Sequence, residues 1–170
     1  MRVAVVCGNP KPKSRTLEAA LFVAHRLTGT EPEVVLDLID LGSHLLGWGD
    51  DVSAKAVANV QACEVAVFAS PTYKGAYTGL LKLFLDLVPT DGLNGMLAFP
   101  VMLGGAMGHA MAPDLLLKPV LVELGAACPA RGLYLLETDY LSEATVDAWA
   151  DRARRFLREV RAGPPRVPQA

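Results

Sequence analysis

Residues 8–16 read Gly8-Asn9-Pro10-Lys11-Pro12-Lys13-Ser14-Arg15-Thr16. Ser14 and Thr16 bring hydroxyls, Asn9 an amide, and Lys11, Lys13 and Arg15 positive charge. An apolar β-forming run, Val3-Ala4-Val5-Val6-Cys7, precedes the stretch, and a helix-like run over residues 17–27 follows it. A strand thus delivers the chain into a loop, and the loop opens a helix. The first turn of a helix has N–H groups without partners, and its dipole places partial positive charge there. A phosphate suits both features and the side chains around them. The dinucleotide pattern G-x-G-x-x-G fails, because no glycine follows Gly8 until Gly29. The triphosphate pattern G-x-x-x-x-G-K-[ST] fails as well, because Cys7 and Pro12 occupy its glycine positions. What remains is a hydroxyl-rich loop suited to one terminal phosphate, such as flavin mononucleotide (FMN) carries.

Two further stretches stand out. Ala69-Ser70-Pro71-Thr72-Tyr73-Lys74-Gly75-Ala76-Tyr77 follows an apolar run and reads as a ring-binding loop. Pro71 stiffens it, Tyr73 offers a flat face with a polar tip, and the backbone N–H groups can meet the edge of a heterocycle. An ordinary strand-to-helix turn also favours Pro and Gly, so both readings stand on the residues alone. The third stretch is Leu103-Gly104-Gly105-Ala106-Met107-Gly108-His109. Its glycines permit close backbone approach, to a flat ligand or to another chain segment. His109 could hydrogen-bond a ligand carbonyl or cap the following helix.

The elements that must position these loops can be read in order. Strands are expected over residues 2–7, 33–38, 64–70, 96–103 and 131–136. Helices are expected over 15–28, up to about 61 with Ser53 as cap, 79–88 with Thr78 as cap, within 109–125, and over 143–162. Gly29 ends the first helix. Pro100 sits awkwardly inside a strand, since proline lacks a ladder donor. Pro119 should kink or bulge its helix. In the last helix Val146, Trp149, Ala153, Phe156, Leu157 and Val160 form one apolar face for packing on the sheet. Strands alternating with helices imply a parallel sheet covered on both faces. A sheet order of 2-1-3-4-5 places all three loops on one rim, beyond the carboxyl ends of the strands, where such folds bind ligands.

The 170-residue chain reads as one domain over residues 1–162, with 163–170 an expected disordered tail after Gly163-Pro164-Pro165. Its net charge of −2 shows no basic excess for nucleic acid. Cys7, Cys63 and Cys128 lack metal or C-x-x-C spacing, so each reads as a small buried residue in a reducing, cytoplasmic setting. No signal-peptide pattern follows Arg2. Residues 92–113 lack Asp, Glu, Lys and Arg, but five glycines, two prolines, Asn94 and His109 argue against a membrane span.

Taken in order, these motifs resemble the NAD(P)H-dependent FMN reductases of flavodoxin-like fold. Gly8-Asn9-Pro10-Lys11 with Ser14-Arg15-Thr16 is similar to that family's G-S-P-R…S-x-[ST] phosphate loop. Ser70-Pro71-Thr72-Tyr73-Lys74-Gly75, with Gly79-Leu80-Leu81-Lys82 and Asp86, is similar to its S-P-x-Y-x-G…G-x-L-K…D signature. Leu103-Gly104-Gly105…His109 and Leu117-Lys118-Pro119-Val120 resemble the sulfonate-utilisation branch, which supplies reduced FMN to a separate monooxygenase. The resemblance spans residues 1–136. Asn9 stands for the usual serine and Lys11 for the usual arginine, keeping hydrogen bonding and charge without arginine's fork. Leu115 stands where that branch tends to carry an aromatic, and the chain is shorter than that branch between the second and third strands and at its end.

The resemblance implies a flavodoxin-like three-layer sandwich that binds FMN and takes hydride from NADPH or NADH. Asn9, Lys11, Ser14, Arg15 and Thr16 would hold the phosphate. Pro71, Thr72, Tyr73, Lys74 and Gly75 would border the ring edge, and Leu103, Gly104 and Gly105 its pyrimidine side, with His109 nearby. No side chain is needed as catalytic acid or base, because the flavin carries the chemistry. The resemblance also implies a homodimer or homotetramer, and the helix over 79–88 is apolar nearly all round, which suits a subunit contact. A quinone or azo reductase shares this fold and differs in its acceptor. A flavodoxin-type electron-transfer protein is weighed against by the near balance of 16 basic and 18 acidic residues.

Overall fold

The computed structural model describes residues 1–162, and the side chains of residues 1–157. Five parallel strands form one sheet in the order β2-β1-β3-β4-β5. They are β1 (Val3–Cys7), β2 (Val34–Asp37), β3 (Val65–Pro71), β4 (Leu97–Gly104) and β5 (Leu133–Leu136). Five α-helices alternate with them: α1 (Arg15–Thr28), α2 (Asp51–Gln61), α3 (Gly79–Asp86), α4 (Lys118–Glu123) and α5 (Glu143–Ala162). This is the expected flavodoxin-like order. It arises because β1, β3 and β4 are buried along their whole length and so carry continuous apolar runs.

Alternation along the strands sorts side chains into two cores. Val3, Val5, Val65, Val67, Phe99, Val101 and Leu103 face α1 and α5. There Ala19, Ala20 and Ala24 bring α1 close to the sheet, and Val146, Ala153 and Leu157 anchor α5. The other face, with Ala4, Val6, Phe68 and Met102, is covered by Val57 and Val60 of α2, Leu81, Phe84 and Leu85 of α3, and Leu121 of α4. Each fully buried Leu, Val or Phe is worth roughly 1.5–3 kcal/mol relative to exposure. Trp149 stacks edge-on against Phe99, ring centroids 5.8 Å apart, as the α5 pattern requires. Val160 and the tail 163–170 lie outside the residues whose side chains or structure are described.

Pro100 lies inside β4 and pairs in register with Phe68 of β3. The Leu97 N–H donates to Glu64 on the β3 side, and the Ala98 N–H donates to Ala127 on the opposite side. By alternation the Pro100 nitrogen points away from β3, and pairing with β5 begins only at Val101 with Leu133. The missing donor therefore falls in a gap between partners, where it costs no ladder bond.

One local expectation is corrected, and two stretches gain detail, the bulge expected at Pro119 among them. The cap of α2 is Asp50, whose carboxylate accepts the N–H groups of Val52 and Ser53; Ser53 turns its own hydroxyl back to the Asp50 carbonyl. The connection after β2 holds a tight helical segment, Leu38–Leu45, broken at Gly42 with φ 51°. The helix expected within 109–125 is split into a short turn Met107–His109, a π turn Pro113–Leu117 and α4. Lys118 N–H reaches back five residues to the Pro113 carbonyl. The widened turn thus precedes Pro119, whose absent N–H and bulky ring disfavour continuing a regular α-helical ladder at that point.

Candidate flavin site

The loop after β1 is built around two hydrogen-bonded frames. Asn9 donates its amide to the Thr16 hydroxyl at 2.9 Å and accepts the Lys11 N–H at 2.9 Å. The Ser14 hydroxyl caps α1 by accepting the Leu17 N–H. Lys13 adopts the left-handed conformation with φ 50°, uncommon for a side chain of its size. Its N–H is held at 3.0 Å by the Asp37 carboxylate at the end of β2. Burial pushes the Asp37 pKa up, while the Lys13 N–H pulls it down. The N–H groups of Arg15 and Thr16 have no partner among the described residues, leaving the head of α1 open to an anion. Cys7 lies beneath the loop, 3.8 Å from the Ser14 hydroxyl, and burial pushes its thiol up to about 11. It is a neutral floor rather than a nucleophile.

The second loop leaves β3 through a chain of buried contacts. The Thr78 hydroxyl caps α3 by accepting the Leu81 N–H and donates to the Gly8 carbonyl. The Thr78 N–H donates to the Ser70 hydroxyl, which donates to the Pro71 carbonyl. Tyr73 and Ala76 exchange both backbone hydrogen bonds across Lys74 (φ 53°) and Gly75 (φ 83°), so residues 73–76 form a tight reverse turn. The Thr72 N–H donates to the Leu103 carbonyl, which joins this loop to β4. The Thr72 hydroxyl oxygen is buried and has no partner among the described residues.

A cavity of about 290 Å³ joins the two loops. Asn9, Lys11, Ser14, Arg15, Thr16, Pro71, Tyr73 and Leu103 of the expected site line it, together with Lys13 and Glu137. Thr72, Lys74, Gly75, Gly104, Gly105 and His109 lie outside its lining. The His109 ring lies against Gly75, 3.6 Å from where a Cβ there would sit, and it caps no helix. Gly104 faces another chain segment: a Cβ there would meet the Tyr134 hydroxyl at 1.9 Å. Gly105 opens onto free space. Glu137 escaped the sequence reading because it follows β5 without any motif. Its carboxylate binds the Arg15 guanidinium at 3.0 Å, and its carbonyl accepts a second Arg15 N–H at 3.2 Å.

This donor set suits a phosphate monoester: three cations, two hydroxyls and free N–H groups at a helix head, with Tyr73 standing at the mouth for a flat ring. The orphaned Thr72 hydroxyl stands on the strand-to-turn segment beside it. Among the described residues there is no cluster of metal-ligating side chains and no helix long and apolar enough to cross a membrane.

Comparison with known proteins agrees with this chemistry. The chain is similar to the "FMN reductase (NADPH)" of Escherichia coli (strain K12), 33% identical over 138 residues, covering 79% of this chain and 72% of that protein. It is 31% identical over 175 residues to the "NADH-dependent FMN reductase SfnF" of Pseudomonas fluorescens (strain Pf0-1), covering 96% and 91%. Among solved structures, the apo form of an NADH:FMN oxidoreductase, EMOB, superposes with a TM-score of 0.78 at 28% identity, over 98% of this chain and 91% of that one. The family model described as NADPH-dependent FMN reductase matches residues 1–140. With a fold, a phosphate-suited loop and relatives in agreement, this chain belongs to the NADPH-dependent FMN reductase family.

Proposed function

We propose that the chain reduces FMN with NADPH or NADH and binds the flavin across the cavity between residues 9–16 and the loop 71–75. The observation that carries this reading is that one cavity unites the cationic head of α1 with Pro71, Tyr73 and Leu103. When bound, FMN supplies the hydride-accepting isoalloxazine, and the nicotinamide supplies the hydride. The chain's own work is positioning. Ser14, Arg15, Thr16 and the lysines receive the phosphate. The backbone of residues 71–75 and 103–105 would border the ring, with Pro71, Tyr73 and Leu103 the members of those loops that line the cavity. Tyr73 would cover one side, and His109 packs beside the turn at Gly75. Buried Cys7 stays protonated below and takes no part in proton transfer.

The acceptor of the reduced flavin belongs to the same proposal: a separate flavin-dependent monooxygenase, as the resemblance to the sulfonate-utilisation branch implies, in the cytoplasm. So does assembly into a homodimer or homotetramer. Inward-facing Leu81, Phe84 and Leu85 account for part of the apolar character of α3. Leu83 on its outer side and Leu87 just past its end form a groove of about 260 Å³ with buried Leu45 and with exposed Leu46 and Trp48, the last 85% exposed. Exposed apolar surface of that kind suits a subunit contact.

The test is oxidation of NADPH and of NADH with FMN, FAD, riboflavin and quinones as acceptors. FMN is expected to be the best acceptor, and no oxidation of either nicotinamide with any flavin would refute the activity. Arg15→Ala is expected to weaken FMN by about 1.5 kcal/mol, the low end for a hydrogen bond to a charged group, because Arg15 is more than half exposed. Riboflavin, which lacks the phosphate, should bind as before; equal losses for both would remove the phosphate from this loop.

A further inference from the structure

We propose that the Glu137 carboxylate is a built-in competitor for the flavin phosphate, holding Arg15 in the free site and giving it up when FMN binds. This rests on the reading of the cavity as the flavin site. Three cations line that cavity, and among the described residues Arg15 alone of the three is paired with a carboxylate. The pairing is directional: one guanidinium nitrogen meets the Glu137 carboxylate at 3.0 Å, and the other donates to the Glu137 carbonyl at 3.2 Å. It joins opposite sides of the site, since Arg15 opens α1 and Glu137 directly follows β5. Glu137 itself lines the cavity, so its negative charge stands where a phosphate would arrive.

The Glu137 carboxylate takes one nitrogen of the Arg15 guanidinium, a donor that an arriving phosphate would also use, while the N–H groups at the head of α1 stay open. Both side chains are substantially exposed, 57% for Arg15 and 37% for Glu137, so water screens the pair and exchanging one anion for the other costs little. Binding therefore means swapping Glu137 for phosphate on Arg15, with a residual repulsion between the two anions. Release is the reverse, with Glu137 retaking Arg15 as the phosphate departs. Such an arrangement keeps the phosphate recognised yet loosely held, which suits a flavin handed on to another protein. Glu137 acts through Arg15 and is a positioning residue rather than a catalytic one.

The experiment is a set of titrations of the full chain and its Glu137→Gln variant with FMN and with riboflavin, by fluorescence, alongside KM for each flavin. Glu137→Gln keeps the side-chain shape and removes the charge. FMN is expected to bind roughly two- to five-fold more tightly, the scale of an exposed ion pair, with riboflavin unchanged. The gain should shrink as salt screens the charges. In the Arg15→Ala background the same substitution should give a smaller gain, because the group it competes for is gone. A purely structural role would move both flavins together. Wild-type chain that binds FMN and riboflavin alike would overturn the phosphate assignment and this competition together. Wild-type chain that favours FMN, with a Glu137→Gln variant that binds FMN no tighter, would overturn the competition alone. So would a gain that persists undiminished without Arg15.

Discussion

Replacing Gly104 by alanine tests why the rim after β4 carries glycine. A Cβ at this position would stand 1.9 Å from the Tyr134 hydroxyl, 2.9 Å from its Cζ and 3.3 Å from the Thr72 Cβ. Tyr134 is buried, and its hydroxyl donates to the Ala106 carbonyl at 2.9 Å. The added methyl cannot be accommodated unless the ring moves. Moving it strains a packed core, at about 1–3 kcal/mol, and breaks a hydrogen bond worth about 1 kcal/mol. Gly104→Ala should therefore lose about 2–4 kcal/mol in urea unfolding, read as a lower midpoint at unchanged slope. Tyr134→Phe alone should cost about 1 kcal/mol. Combined, the two should be non-additive by more than about 1 kcal/mol, because deleting the hydroxyl removes the nearest clash. A loss under about 0.5 kcal/mol for Gly104→Ala, or strict additivity of the pair, would refute the account and return Gly104 to a role in admitting ligand.

Other outcomes follow from single features. Tyr73, half exposed at the cavity mouth, should on replacement by alanine change the bound flavin's absorption or fluorescence and weaken FMN and riboflavin alike, with the melting temperature unchanged; an unchanged spectrum would place the ring elsewhere. The Asp50 carboxyl is held below its ordinary value of 3.8, first by the His44 hydrogen bond and then by the Ser53 N–H. Its contribution to stability is therefore complete above that value and lost as pH falls through the lower folded-state pKa; Asp50→Asn should narrow its deficit over this window in pH-dependent melts, and a constant deficit would refute the assignment. Sedimentation at micromolar concentration should show a dimer or tetramer that Trp48→Asp weakens, and a strictly monomeric wild type would dismiss the α3 face as a contact.

Much of this architecture can be read from residue order because buried parallel strands leave long apolar runs, and α3 is announced by Thr78. The cap of α2 was less legible, since Asp50, Asp51 and Ser53 all qualify and only the backbone path chooses among them. The segment Leu38–Leu45 hid behind Gly42 and the glycines that follow at 47 and 49, which read as loop. Pro119 announced a distortion but not its direction along the chain. In the site, the phosphate loop was legible because its chemistry is contiguous. Glu137 and Asp37 were not, because each reaches the loop from the end of another strand, and nothing local marks a carboxylate that will meet a distant lysine N–H or arginine. Gly104 was ambiguous for a related reason: a glycine announces close approach without saying to what.

The Thr78 connection has a kinetic consequence. Its side chain and N–H tie the Gly8 carbonyl, the Ser70 hydroxyl and the first turn of α3 to one another inside the core. The roots of the two loops flanking the cavity therefore cannot move independently without breaking buried hydrogen bonds. Ordering these roots is completed when the chain folds, so little of that entropy remains to be lost when ligand arrives. Encounter with flavin should then behave as docking to a standing groove: an observed rate rising linearly with ligand concentration, in one phase, without the plateau that a slow opening step imposes.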